Sequence, residues 1–393
     1  MKITDVEIFC ADFDKTAPNE PIFIKINTDE GISGFGEVGV AYGNAKLGGI
    51  GQVQDFAKLI IGENPFCIEK IWDRLYRDTF WGQGGGTLIF AAMSAIDIAL
   101  WDIKGKALNV PVYELLGGKT RDKIRAYASQ IQFGWGKHEH PLGGVEAYGL
   151  AAQKAVADGY TAIKVDPLQR DENGNKNHRN DGLLTFDKLK LCRDRLVAIR
   201  KAVGDKVDII LELHAKTDIN AAFQISKLIE DLNIYYMEEA CGSLNPQLSK
   251  ELKNKVNVPL AAGERIYSRY GFKPFLENRS LDVIQPDIAT CGGISECKKI
   301  CDMARIYDVL VQPHVCGGPI SCAAAIQIEA VIPNFCIHEH HIGNLSDFTR
   351  SLGVYDEQPV NGYIIVSDRP GLGQEIPADI LAKCSKKNSL IYN

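Results

Sequence analysis

Between residues 212 and 339 an acid or a histidine recurs at a near-constant interval, each time where an apolar run stops. The positions are Glu212, Glu238, Glu264, Asp287, His314 and Glu339, spaced 26, 26, 23, 27 and 25 residues apart. The runs that end there are "VDIILELH", "IYYMEEA", "VPLAAGE", "LDVIQPD", "VLVQPH" and "NFCIHEH". Their β-branched and aromatic content reads as strand. Two earlier runs, "KIRAYAS" and "TAIKVD", bring the number to eight. Helical segments such as "DINAAFQISKLIEDLN" and "ISECKKICDMARIYD" lie between them. Strands alternating with helices pair in parallel through right-handed crossovers, and eight of them close a barrel. The expected fold class is therefore α/β, a (βα)8-type TIM barrel.

Strand parity locates the polar groups. Side chains two apart share a face. Ile210, Glu212 and His214 point one way, as do Val283, Gln285 and Asp287, and Leu310, Gln312 and His314. The inner face of the barrel thus turns polar at its C-terminal mouth, where barrel enzymes keep their sites. One such acid alone would pass for a solvated loop start. Glu is a weak N-cap, however, and six in register exceed coincidence.

Three carboxylates converging on one mouth repel each other unless a cation neutralises them. Monodentate oxygens with open positions suit Mg²⁺, which keeps water or substrate oxygens in its shell. Glu212, Glu238 and Glu264 are the expected ligands. Asp287 and His314 stand on adjacent strands, and an Asp that orients an imidazole makes a general base. Lys164 comes from the second strand, across the mouth.

The remaining chain divides around this barrel. Residues 1–123 read as an α+β module, with extended runs about a turn at Thr28–Gly31 and a helical pattern from Gly51 to Gly118. Ser94 is its candidate N-cap, ahead of "AIDIALWDIKGKAL". Residues 124–356 hold the barrel, with "QRDENGNKNHRNDG" (169–182) an exposed polar insertion. Residues 357–393 fit no ninth barrel unit and are expected to return to the N-terminal module.

Other classes recede. Net charge is −6 with no long basic block, so nucleic acid is excluded as a partner. No apolar stretch is long enough to span a bilayer, so no membrane role is expected, and no signal peptide is visible. Eleven scattered cysteines without a C-x-x-C read as reduced thiols in a cytoplasmic protein. "GFGEVG" (34–39) is a literal G-x-G-x-x-G, but it lies on a sheet edge and no helix follows it as a dinucleotide site requires. His338, His340 and His341 are read as mouth or loop residues, one of them within reach of substrate. "HEH" (138–140) is read as solvated, and "WGQGGG" (81–86) as loop or part of a closing cap.

These strand ends, with "SAIDIALWDIKGKALNVPVYELLGG" and "IQPDIATCGGISECKKICDMARIYDVLVQPHVCGGPIS", resemble the enolase superfamily, mandelate racemase subgroup. The likeness covers nearly the whole chain and runs closest to sugar-acid dehydratases of the galactonate dehydratase type. It implies a modified (βα)7β barrel beneath a capping domain made by the N-terminal module and the C-terminal tail. Loops near 14–21 and 41–50 would close over the mouth. It implies Mg²⁺ on Glu212, Glu238 and Glu264, a His314–Asp287 dyad, and His214 as general acid. The implied reaction removes the C2 proton of an aldonate such as galactonate, gluconate or mannonate and expels the C3 hydroxyl, giving a 2-keto-3-deoxy sugar acid. Glu339 would bind the substrate carboxylate if protonated, or position a hydroxyl. Lys164 would offset charge or face C2, and Arg265, Asp166 and Glu239 would support the site. A homo-oligomer and a small sugar-acid substrate are the implied partners.

Three departures from the family pattern stand out. Glu212 replaces the usual Asp, "MEEA" lacks the usual following proline, and Lys164-Val165-Asp166 stands where racemases carry Lys-x-Lys. The last weakens a racemase or epimerase reading. A non-catalytic sugar-acid-binding protein is the remaining alternative.

Overall fold

The computed structural model describes residues 1–387 apart from Thr16, Pro18, Ala41 and His178. The chain opens with strands β1 (Ile3–Cys10), β2 (Ile22–Thr28) and β3 (Ser33–Glu37), paired antiparallel in that order. Helices α1 (Lys46–Ile60), α2 (Ile68–Arg77), α3 (Thr87–Leu108) and α4 (Val112–Leu115) follow. Strands β1 and β2 share a core with α1–α3 built from Ile8, Ile24, Val53, Ile71 and Ile96. Ser94 does not cap α3. It lies inside the helix and its Oγ donates to the Phe90 carbonyl at 2.6 Å, because α3 begins seven residues earlier, at Thr87.

The glycines of "GFGEVG" have a packing role. A Cβ at Gly36 would stand 1.9 Å from the Ala95 carbonyl oxygen, and one at Gly34 2.2 Å from that of Ala99. Only glycine lets β3 lie this close to α3.

The parallel strands are β4 (Lys123–Ser129), β5 (Ala162–Val165), β6 (Asp208–Glu212), β7 (Ile234–Glu238), β8 (Leu260–Ala262), β9 (Val283–Ile284), β10 (Leu310–Val311) and β11 (His338–His341). They follow one another in space from β4 to β10, with β11 on the far side of β4. A parallel bridge between Val311 and Phe335 brings the last strand back to β10 and closes the ring. Helices α5 (Val145–Ala157), α6 (Phe186–Val203), α7 (Ile219–Leu228), α8 (Pro246–Lys253), α9 (Ser268–Glu277), α10 (Gly293–Ile306) and α11 (Pro319–Val331) alternate with the strands. The barrel interior is plugged by Tyr127, Ala162, Ile210, Tyr236, Ala261, Val283 and Ile337. The α/β TIM-type barrel is the fold.

The tail touches the barrel before it reaches the N-terminal sheet. Strand β12 (Tyr363–Ile365) pairs antiparallel with β4, and β13 (Ser385–Lys387) then pairs antiparallel with β1. The N-terminal unit also grips two barrel helices by their N-termini. Asp97 on α3 accepts the Ser295 amide of α10 at 3.0 Å. Glu37 on β3 accepts the amides of Gly318 and Ser321 at the start of α11. A carboxylate there meets the positive end of the helix dipole.

The insertion at 169–182 is less exposed than its polarity suggests. Arg195, fully buried on α6, donates to the carbonyls of Pro167, Arg170 and Asp171 at 2.7 Å each, and to that of Gly143. Asn177 and Asn180 donate to the Leu168 carbonyl. A hydrogen-bonding side chain from a neighbouring helix thus replaces the core a polar loop cannot make.

Candidate active site at the barrel mouth

Glu212 and Glu238 are the last residues of β6 and β7 and pair in register, both 1% exposed. Lys164 rises between them from β5. Its Nζ lies 2.7 Å from Glu238, 2.9 Å from Glu339 and 3.5 Å from Glu212. Burial works against the ammonium, but these three carboxylates outweigh it and hold Lys164 protonated well above the ordinary lysine range. Glu238 also holds a proton more tightly than usual: burial, then the neighbouring Glu212 charge, raise its carboxyl well above the usual range.

Beyond their last ladder residues the strands run on irregularly, and this places the remaining groups. His314 Nδ1 donates to Asp287 Oδ2 at 2.6 Å. Its Nε2 faces Glu264 at 3.0 Å and Glu339 at 4.0 Å. Burial opposes a charged ring, yet Glu264 and Asp287 outweigh it and raise His314 well above its ordinary value. His214 follows β6 in a left-handed conformation, φ 49°, which turns its ring across the mouth. Its Nδ1 donates to Asp166 Oδ2 at 2.7 Å. Both histidines therefore carry a carboxylate behind Nδ1. Each leaves Nε2 at the mouth, and both rings line one cavity of about 460 Å³. That volume is ordinary for a small-molecule site.

Glu264 also lines this cavity. It does not join Glu212 and Glu238. One oxygen meets His314 and the other Arg265, which also binds Glu239. Among the described residues no three His, Cys, Asp or Glu side chains converge as a metal-ready cluster. The donor set nonetheless fits a hard divalent cation. Glu212 and Glu238 are adjacent buried carboxylates, and Glu238 Oε2 is buried without a hydrogen-bond partner. An unpaired buried carboxylate oxygen beside a like charge is costly, and a cation relieves both penalties.

Several expectations need correction. In the arrangement seen Glu339 favours its ionised form, which suits it to accept a hydrogen bond from a substrate hydroxyl. Burial would raise its pKa, but Lys164 and His314 prevail and keep it ionised. It accepts from Ser129 Oγ at 2.6 Å, and both it and Lys164 sit below the cavity lining. His338 and His340 are not mouth residues. They point out to the helical layer, His338 to Glu329 on α11 and His340 to the Tyr160 hydroxyl at 2.7 Å. The single-residue alternation of β11 puts them opposite Glu339. His341 does line the cavity. His138 and His140 are exposed, but Glu139 between them is half-buried and reaches the cavity.

Lys216 and Lys176 also line it and were not anticipated. Lys216 lies beyond the end of β6, past the left-handed His214 and Ala215, so strand alternation gave no signal for it. Asn19, Val40, Tyr42 and Ala45 bring both expected closing loops to the cavity, with Thr16, Pro18 and Ala41 of those loops outside the described residues. Thr87, at the start of α3 just after "WGQGGG", touches the Tyr267 hydroxyl at 2.6 Å on the cavity wall.

Residues 147–380 match the enolase C-terminal domain-like family, and residues 14–117 match the mandelate racemase/muconate lactonizing enzyme N-terminal domain. The chain belongs to the enolase superfamily. Within this superfamily it is 33% identical to the D-galactonate dehydratase of Variovorax paradoxus (strain S110), over 98% of this chain and 95% of that one. The D-galactonate dehydratase of Pectobacterium atrosepticum is equally similar, at 33% with the same coverage. A crystal structure of an enolase superfamily member from Salmonella Typhimurium superposes with a TM-score of 0.96 at 54% identity, covering 98% of this chain and 99% of that one. A mandelate racemase/muconate lactonizing enzyme from Sulfitobacter sp. gives 0.88 at 29%, covering 97% and 94%.

Proposed function

We propose that this enolase superfamily member is a Mg²⁺-dependent hydro-lyase that dehydrates a sugar acid to its 2-keto-3-deoxy product. The observation that carries this reading is the pair of histidines, each backed by a carboxylate, facing one cavity above buried glutamates. One histidine suffices to move a proton. A second, on the opposite side, is what an elimination needs for its leaving group.

When bound by Glu212, Glu238 and Glu264, Mg²⁺ supplies Lewis-acid stabilisation of the negative charge that develops on the substrate carboxylate. Asp287 fixes the His314 tautomer and orientation so that Nε2 takes the C2 proton. In the arrangement seen, Glu264 strengthens the ring's hold on its own proton. Any group that takes up the Glu264 charge frees His314 to act as base. His214, held by Asp166, donates a proton to the departing C3 hydroxyl, which leaves as water. The resulting enol ketonises. Lys164 holds a fixed positive charge beneath the site, and Arg265 holds Glu239 and Glu264 in place. The closing loops at 14–21 and 41–50, in a capping domain formed by residues 1–123 and 357–393, would exclude water.

A racemase needs a second base across the substrate from His314. Lys164, buried against Glu212, Glu238 and Glu339, holds its proton firmly in the arrangement seen, which argues against it in that role.

The test is a screen of mono- and diacid sugars with Mg²⁺, reading 2-keto product and C2 deuterium exchange. Dehydration of at least one acid is expected, and His314→Asn should lower its turnover by roughly 10²–10⁴-fold. Exchange without loss of hydroxyl would favour the epimerase. Full activity in His314→Asn would remove His314 as base.

A further inference from the structure

The loops after β5 and β6 carry positive charge that the elimination does not use. Lys176 lies in the 169–182 insertion and Lys216 follows His214, and both line the active-site cavity. Arg170, at the root of the insertion, spreads its guanidinium over Phe133 at 5.0 Å, and Phe133 lines the same cavity. Its Nε is buried without a hydrogen-bond partner. Among the described residues none of the three forms an ion pair. The two carboxylates that act on Lys216 have other hydrogen-bonding or ion-pair partners: Asp166 has His214, and Glu212 has Lys164 and the His214 amide.

Like charges gathered at one edge are unfavourable, with Lys216 and Arg170 half-buried and Lys176 exposed. Burial weakens Lys216's hold on its proton; the Asp166 charge opposes this, and the Lys176 charge adds to it. The edge is nonetheless rigid. Arg195 fastens the start of the insertion through the Arg170 and Asp171 carbonyls, and the Asn180 amide donates to the Lys216 carbonyl at 3.0 Å, joining the two loops. In the closed ring β5 and β6 stand four strands from β9 and β10, which carry Asp287 and His314. The cationic edge therefore faces the dyad across the cavity. Glu139, the carboxylate on the neighbouring wall, lies against Gly343 on the β11 side, away from the lysines.

We propose that Lys176 and Lys216 form an anion subsite, and that the substrate is a sugar diacid whose second carboxylate docks there. The inference rests on the dehydratase reading and narrows its substrate from aldonates to diacids. The first carboxylate lies over the buried glutamates, C2 meets His314, and the chain runs past His214 to the lysines.

The test compares hexose-derived monoacids, such as gluconate and galactonate, with the corresponding diacids on the Mg²⁺-loaded full chain. A diacid should be preferred in kcat/KM by roughly ten- to a hundredfold, the range of one or two charge-assisted hydrogen bonds. Lys216→Met should collapse the diacid-to-monoacid ratio by at least about tenfold, mainly through KM, and Lys176→Met should lower it less. Circular dichroism checks that the variants remain folded. A wild-type preference for monoacids, or an unchanged ratio in Lys216→Met, overturns the subsite. If neither class is dehydrated, the dehydratase reading fails instead. Calorimetric titration of the same acids then decides the subsite alone: no tighter binding of the diacid refutes it.

Discussion

His214 and His314 each carry a carboxylate on Nδ1, but their Nε2 partners differ, Gln130 for His214 and Glu264 for His314. Position and partner separate their proposed roles, so removing them should break different steps. His214→Asn is expected to keep C2 deuterium exchange while losing most dehydration, read by NMR of substrate and product. Equal loss of both would mean that His214 is not the acid. His340 makes a different prediction. Burial lowers it from 6.5 to about 3, so the folded protein keeps it neutral while the unfolded chain takes up a proton. The stability this contributes is complete above pH 6.5 and is lost as pH falls toward 3. Between pH 7 and pH 5 the wild type should lose on the order of 2 kcal/mol more unfolding free energy than His340→Gln. The acids and histidines at strand ends were legible because each terminated an apolar run. His338 and His340 were misread because an adjacent acid drew them to the mouth, and alternation sends them the other way. Glu139 left no signal, since only tertiary folding brings its long loop over the cavity.

Among the elements, the insertion at 169–182 shows best what polarity hides. Nothing in "QRDENGNKNHRNDG" announces order, and the residue that orders it, Arg195, sits on α6 in what reads as a charged surface helix. Arg195→Leu would leave the Pro167, Arg170 and Gly143 carbonyls without their donor, while that of Asp171 keeps the Gly174 amide. A loss of about 3 kcal/mol is expected by denaturant unfolding, with early proteolytic cleavage inside the insertion. Unchanged stability would mean that the loop is held by its asparagines alone. The glycines of "GFGEVG" teach the converse. The sequence rightly placed them on a sheet edge, but their reason, contact with α3, depends on a helix that begins fifty residues later.

At the scale of the molecule the barrel was legible from the period of its strands, whereas the seams were not. Carboxylates from the N-terminal unit cap α10 and α11, a pairing no local pattern encodes. The electrostatics of the mouth also bear on global stability. Lys164 and Arg265 already neutralise much of the glutamate charge, so the fold should survive without the proposed Mg²⁺. Chelation is expected to abolish turnover but lower unfolding free energy only by the binding linkage, about 2.7 kcal/mol at a hundredfold excess of Mg²⁺ over Kd. Calorimetry with and without EDTA reads this directly. A metal-free protein without a cooperative transition would contradict it.

The pairing of β13 with β1 has a consequence in time. Glu7 and Lys386, which meet across it, are 379 positions apart. During synthesis the first sheet leaves the ribosome early, yet its edge stays open until nearly the whole barrel has been translated. One edge of β1 meets β2 at once, but the other is thus among the last to find its neighbour. A nascent chain halted before that point would expose an unpaired strand edge that other chains could join.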